Sequence, residues 1–165
     1  MRLKILLLVG VIACSIANIK IESAPPQVQV KRDLRIPEIA KLFDKYKCSN
    51  EYDKDYITEA DKDGLDWRLL PAISVQESTC GKRYPSDTNN LWGFGSSTGL
   101  WKFESVQEGI STITKTLASG SRYRNETTYQ KLRKYGPKDN LDYPQEVINI
   151  MNQINTKGGD FGQSN

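Results

Sequence analysis

Apolar residues recur at intervals of three or four along most of this chain. This spacing is typical of amphipathic α-helices, in which such residues share one face. The pattern predicts six helices around one core. The residues that carry this spacing are, in chain order, Ile39, Leu42, Phe43 and Tyr46; Tyr52, Tyr56 and Ala60; Leu70 and Ile73; Val106, Ile110, Ile113 and Leu117; Tyr129 and Leu132; and Val147, Ile150, Met151 and Ile154.

Prolines, glycines and capping residues indicate where these helices begin and end. Pro71 and Pro144 suit the first helical positions of the third and sixth helices, where a missing N–H costs nothing. Gly64 suits the C-terminal end of the second helix. Ser105 and Glu108 have the spacing of a capping box at the start of the fourth helix, which gives Glu108 a structural role.

Between the third and fourth helices the pattern changes from helical to alternating. Trp92 and Phe94 alternate, as do Trp101 and Phe103, on either side of the Gly- and Ser-rich turn 95–99. These features predict a short β-hairpin with aromatic residues on one face. The predicted fold class is therefore mainly α, a small helical domain with a short β-hairpin lobe.

The two ends of the chain have a different character from the segment between them. Residues 1–17 combine a charged start with a short apolar run, which indicates a signal peptide or an N-terminal membrane anchor; Val11–Cys14 also resembles a lipobox. Residues 18–35 read as a linker and 156–165 as a disordered tail. The domain predicted at 36–155 would then be secreted or held in the cell envelope.

Composition excludes several classes of function. Hydrophobic content of 38% and charged content of 26% over 165 residues describe one globular domain. The net charge is +3, of which residues 1–24 carry +2. The rest of the chain therefore lacks the excess of positive charge that is typical of a nucleic-acid-binding protein. Because the chain has no histidine, it cannot form a Ser-His-Asp triad or a His-ligated metal site. We expect a monomer without a metal or an organic cofactor.

Two cysteines flank the predicted second and third helices. Cys48 precedes the second helix, and Cys80 ends the third. In an exported protein this pair suggests a disulfide, which would contribute about 3–4 kcal/mol to stability on the chain-entropy model. The alternative is two free thiols. A disulfide would also fix the end of the third helix.

One carboxylate lies on the apolar face of the third helix. Ile73 and Glu77 are four residues apart and so share a face. Burial there would raise the pKa of Glu77 above the ordinary value of about 4.3, as a general acid near neutral pH requires. The structural alternative is an ion pair with Arg68 or Lys82.

The aromatic hairpin suggests a sugar as the ligand. A sugar has an apolar ring face and polar edges, which flat aromatic rings beside asparagine side chains would accommodate. Asn90, Trp92 and Phe94 are the candidates, and the flanking glycines would let a ligand approach the backbone. Trp101 is a further candidate, with closure of a small core as its alternative role.

The order of these segments resembles the lysozyme-like superfamily, and more closely its bacterial glucosaminidase branch, the mannosyl-glycoprotein endo-β-N-acetylglucosaminidase-like domain. The resemblance spans about residues 36–154. It is carried by LLPAISVQESTCGK, by NNLWGFG, and by FESVQEGI with the later KYGP. It implies a catalytic Glu77 followed by Ser78 at the end of a helix, with a functional Tyr135 near the reacting sugar.

The resemblance also implies an activity, the cleavage of β-1,4 bonds in peptidoglycan glycan strands. The substrate-binding residues would be Ser78, Asn90, Trp92, Phe94 and Trp101. A second carboxylate does not stand out. The reaction could therefore be completed by water, by the substrate's N-acetyl group or by its 6-hydroxyl. The alternatives are a lytic transglycosylase, a muramidase, or a lysozyme-like module that binds the wall without cutting it.

Overall fold

The computed structural model describes residues 33–83, 86–96 and 98–154. This part of the chain is mainly helical, with six helices and one small antiparallel sheet, as the sequence pattern predicts. The helices are α1 (Arg35–Lys45), α2 (Asp53–Asp63), α3 (Leu69–Ser78), α4 (Val106–Ser119), α5 (Thr128–Tyr135) and α6 (Tyr143–Met151).

The helix ends follow the local signals closely. Gly64 has φ +70° and ends α2 in the left-handed conformation that glycine adopts without strain. The Ser105 hydroxyl accepts from the backbone N–H of Glu108 and caps α4, while Glu108 accepts from the N–H of Glu104. Two starts were predicted too late, because α3 already begins at Leu69 and α6 at Tyr143, so Pro71 and Pro144 lie within the first turn and not at its first residue.

The predicted hairpin is present but shorter than expected. Strands β1 (Gly95–Ser96) and β2 (Gly99–Leu100) pair antiparallel, and all but Leu100 lie in the segment predicted as the turn. The flanking aromatic residues continue the pairing by one bond, since the N–H of Trp101 donates to the carbonyl of Phe94 at 3.0 Å. The lobe therefore carries its aromatic residues just outside the strands.

Helix α3 lies at the centre of the domain. It packs against α4 and along α6, while α2 also packs on α4 and α5 on α6. Leu69, Leu70, Ala72 and Ile73 are each at most 3% exposed, so α3 is enclosed for most of its length. Burial of this kind contributes about 1.5–3 kcal/mol for each large side chain, so α3 is held firmly in the core.

Several predicted segments fall outside the described residues. They are the signal peptide or anchor at 1–17, most of the linker at 18–35 and the tail at 156–165. Within the described ranges, the structure contains no helix with the length and apolar character needed to cross a membrane.

Candidate active site

Glu77 lies in the last turn of α3, where the helix leaves the core. Ser74 and Val75 before it and Ser78 after it are buried, but Glu77 itself is half-buried. Its carboxylate therefore lies at the boundary between the core and the surface. A side chain in this place is fixed by packing and can still meet a ligand.

The carboxylate of Glu77 is held by α6. The hydroxyl of Tyr143, a residue that is 3% exposed, donates to Oε1 of Glu77 at 2.5 Å. The ion pairs considered from the sequence are not formed. Arg68 instead pairs with Asp66 at 2.6 Å, and Lys82 donates to backbone carbonyls at the end of α1.

Four aromatic rings lead from Glu77 to the hairpin. Tyr143 stacks on Tyr135 with centroids 6.4 Å apart and an interplanar angle of 15°. Tyr135 lies 6.1 Å from Phe94, which meets the edge of Trp101 at 5.0 Å. We call Tyr143, Tyr135, Phe94 and Trp101 the aromatic row. Trp101 is 45% exposed, so the row runs from the buried carboxylate partner to the surface.

A glycine allows Tyr143 to take its place in this row. Gly136 follows α5 directly, and a Cβ at this position would overlap the ring of Tyr143. Its backbone therefore acts as a flat support for the ring. Tyr143 is the functional candidate that the sequence reasoning missed. The signal that could have identified it is a tyrosine directly before Pro144, at the start of a helix that packs on the Glu77 helix.

Tyr135 lies within the site, but its hydroxyl is already engaged. It donates to the backbone carbonyl of Trp92 at 2.6 Å, which joins the end of α5 to the loop before the hairpin. A hydrogen bond donated from Tyr135 to a sugar, as the resemblance implies, would require release of this bond. The ring itself lies between Phe94 and Tyr143.

Asn90 and Trp92 are core residues, which corrects their predicted role as sugar contacts. Trp92 is 0% exposed, and its indole packs so closely on Gly109 of α4 that a Cβ there would lie 2.6 Å from the ring. The Asn90 amide donates to the carbonyls of Phe94 and Trp101, while its oxygen accepts from the N–H of Phe94 at 3.1 Å. Asn90 therefore fastens the two arms of the hairpin together.

Ser78 is likewise structural, which corrects the expectation that it binds substrate. It is 0% exposed, and its hydroxyl donates to the carbonyl of Leu91 at 2.6 Å and accepts from the N–H of Gly81. The predicted disulfide between Cys48 and Cys80 is confirmed, with the Cα atoms 5.7 Å apart. Both features fix the end of α3 directly after Glu77.

Two other carboxylates near the lobe and the end of α3 have partners. Asp87 pairs with Lys102 at 2.6 Å on the surface, and this contact holds the pKa of the Asp87 carboxyl below its usual value. Glu146 accepts from the Gln76 amide at 2.9 Å and from that of Asn140 at 3.3 Å. Among the described residues, no group of three or more acidic, cysteine or histidine side chains is placed to hold a metal ion.

A cavity of about 380 Å³ adjoins the aromatic row. Phe94 and Tyr135 belong to its lining, as do Arg122, Tyr123 and Lys134 from the segment around α5. The hairpin supplies the remaining lining residues, Gly93, Gly95, Ser96, Gly99 and Leu100. The cavity and the aromatic row therefore share two rings.

Of the seven residues predicted for catalysis or substrate binding, the structure brings four together. They are Glu77, Tyr135, Phe94 and Trp101, whereas Ser78, Asn90 and Trp92 support them from the core. Glu77 is counted among them because its hydrogen bond with Tyr143 connects it to the aromatic row. Comparison of the chain with protein-family models, curated proteins and solved structures gave no match.

Proposed function

We propose that this domain is a peptidoglycan hydrolase that cleaves β-1,4 glycosidic bonds, with Glu77 as the general acid. The observation that carries the proposal is the half-buried Glu77 carboxylate, held by Tyr143 at the end of a row of aromatic rings. Cleavage of a glycosidic bond requires a proton on the departing oxygen, and a positioned carboxylic acid supplies it. A structural carboxylate would not need a row of rings leading to the surface.

The aromatic row suits a glycan strand as its ligand. Rings of Phe94 and Trp101 meet at 87°, so they present two different faces to a ligand at the surface. The apolar face of a sugar can stack on such rings, and its hydroxyls can reach the backbone of the glycine-rich hairpin. In this proposal the aromatic row lines a groove for the strand, the glycan groove, in which Tyr135 and Tyr143 form the inner wall.

The fold and the disulfide are compatible with this function. A mainly helical domain with a small two-stranded lobe agrees with the lysozyme-like architecture that the resemblance implies. The bond between Cys48 and Cys80 suits an oxidising compartment outside the cytoplasmic membrane. We therefore place the active protein in the cell envelope or the surrounding medium, next to its substrate.

The second half of the reaction has three possible routes in this proposal. Asp87 is a weak candidate for activating water, because Lys102 already occupies its carboxylate. The N-acetyl group or the 6-hydroxyl of the substrate could replace a protein carboxylate. The products distinguish only the last route, since attack by the 6-hydroxyl leaves an anhydro sugar, whereas the other two routes both end in a reducing sugar after water has reacted.

A wall-binding module without activity is the second candidate. The observation that favours it is the engagement of Glu77 by Tyr143, which is also how a structural carboxylate is satisfied. The biological effect of the Glu77→Gln variant separates the two functions, and a pull-down with insoluble peptidoglycan checks that the variant still binds the wall. A binding module would retain full biological effect after Glu77→Gln, whereas an enzyme would still bind the wall but lose its effect.

The experiment that tests the proposal is mass spectrometry of soluble products released from peptidoglycan by the full chain. Reducing N-acetylglucosamine ends would indicate a glucosaminidase. Reducing or anhydro N-acetylmuramic ends would indicate a muramidase or a lytic transglycosylase that uses the same acid. Absence of any product from folded, wall-bound protein would contradict the proposal.

A further inference from the structure

The cavity beside the aromatic row carries a positive charge that the general-acid mechanism does not use. Arg122 and Lys134 line it together with Phe94 and Tyr135. A neutral sugar has no charge for these two cations to neutralise. Their hydrogen bonds show which of the two is available to a ligand.

Lys134 is neutralised within the fold. Its ammonium group contacts the carboxylate of Glu126 and donates to the carbonyl of Arg122 at 3.0 Å. Arg122, by contrast, has no carboxylate partner within 4.0 Å among the described residues. The three side chains together leave one positive charge, and it lies on the guanidinium of Arg122.

The guanidinium of Arg122 is held in place by contacts that leave its charge unpaired. One terminal nitrogen donates to the carbonyl of Lys134 near the end of α5, and the group lies over the ring of Tyr123 with 5.8 Å to its centroid. A planar guanidinium offers five donors, and two of them can grip a carboxylate side by side. Because it is already oriented, binding costs little side-chain entropy.

We propose that this cavity is a carboxylate-binding subsite of the glycan groove, in which Arg122 recognises an acidic group on the strand. The inference rests on the proposed function and adds to it a preference for strands that carry carboxylates over neutral N-acetylglucosamine oligomers. The shared rings of Phe94 and Tyr135 make the cavity continuous with the row that ends at Glu77. The carboxylate can belong to an acidic sugar or to a peptide attached to it.

The test measures selectivity with the full chain and two substrates, peptidoglycan strands and neutral N-acetylglucosamine oligomers. Arg122→Gln should lower the ratio of kcat/KM for the acidic strand to that for the neutral oligomer about tenfold, as loss of one charge-assisted contact implies. Arg124→Gln is the matched control, because Arg124 is an exposed arginine two residues away that does not line the cavity. It should keep the wild-type ratio. An unchanged ratio for Arg122→Gln, with both substrates still cleaved, would overturn the subsite.

A binding measurement separates this inference from the proposed activity. Calorimetry with an acidic N-acetylmuramic disaccharide and with its neutral methyl ester needs no cleavage. The wild type should prefer the acid, Arg122→Gln should lose that preference, and Arg122→Lys should recover part of it. Equal loss in both variants together with a lower melting temperature would mean that Arg122 is structural, and the subsite would be wrong. Strands with and without attached peptides identify which carboxylate is bound.

Discussion

The hydroxyl of Tyr143 donates to Oε1 of Glu77 at 2.5 Å and so joins the first residue of α6 to the last turn of α3. A second contact crosses the same interface close by, where Gln76 donates to Glu146 at 2.9 Å. The carboxylates of Glu77 and Glu146 therefore both lie where α3 meets α6, but they differ in burial and in their neighbours. Glu77 is half-buried beside a stacked pair of rings, and Glu146 is exposed. This difference makes Glu146 a natural control for Glu77.

Tyr143→Phe should lower kcat about 10- to 100-fold with little change in KM, because the ring remains and the hydrogen bond that positions Glu77 is lost. Steady-state kinetics on peptidoglycan fragments measure both constants. The stacking on Tyr135 does not need the hydroxyl, so the melting temperature should fall by only a few degrees. If Glu77→Gln and the double variant Glu77→Gln/Tyr143→Phe lose kcat equally, Tyr143 acts through Glu77. Unchanged kcat would mean that the bond has no role in catalysis.

Trp101→Ala should raise KM about 3- to 10-fold while stability changes by less than about 1 kcal/mol. The side chain is 45% exposed, so little packing is lost, but an aromatic surface for the sugar disappears. Tyr129→Ala is the matched control, because Tyr129 is an aromatic residue that is 48% exposed and lies outside the aromatic row. If both variants raise KM equally, Trp101 has no special place in the groove.

Removal of the disulfide should destabilise the domain by about 3–4 kcal/mol. Cys48 and Cys80 are separated by 32 residues, and the chain-entropy model gives this value for a loop of that length. Urea unfolding of the double variant Cys48→Ala/Cys80→Ala beside the wild type measures the difference. We expect the activity of the folded variant to fall as well, since the bond fixes the chain three residues after Glu77. Identical unfolding midpoints would contradict the assigned role.

Asp53 should make the domain less stable as the pH rises. It is 3% exposed, its Oδ1 has no hydrogen-bond partner among the described residues, and burial together with the charge of Asp44 raises the pKa of the carboxyl to about 7. The unfolded chain ionises this group near pH 4, whereas the folded domain retains the proton until about pH 7. Stability is therefore highest below pH 4 and falls between pH 4 and pH 7, as far as this group is concerned.

Asp53→Asn removes this titration. Its free energy of unfolding should exceed that of the wild type by on the order of 2 kcal/mol at pH 8, with the difference shrinking towards pH 4. Denaturant unfolding at four or five pH values provides the comparison. Parallel curves for the two proteins would show that Asp53 is ionised in the folded state throughout this range.

Much of the fold could be predicted because helix patterns and caps act locally. The stripes that include Ile39, Ile73, Ile113 and Val147 all face the core, and each of these residues is 0% exposed. The start of α3 was predicted two residues late. Proline is tolerated throughout the first turn of a helix, so Pro71 indicates the turn but not the exact first residue.

The roles within the hairpin could not be predicted, because alternation along a strand does not say which aromatic residue meets the core. Trp92 was expected in the groove and is buried, since Gly109 of the distant helix α4 provides space for its indole. Trp101 was expected as readily in the core and is exposed. Tyr143 was missed because its contact with Glu77 spans 66 residues and depends on the packing of α6 on α3, which no local pattern indicates.

The role of Glu77 as the general acid is tested by the rate of product release from peptidoglycan by Glu77→Gln, measured by mass spectrometry beside the wild type and Glu146→Gln. We predict that Glu77→Gln loses about 10²- to 10⁴-fold in rate and keeps its melting temperature, whereas Glu146→Gln cleaves at a rate close to that of the wild type. Activity of Glu77→Gln within a few-fold of the wild type would contradict the assignment of Glu77 as the general acid.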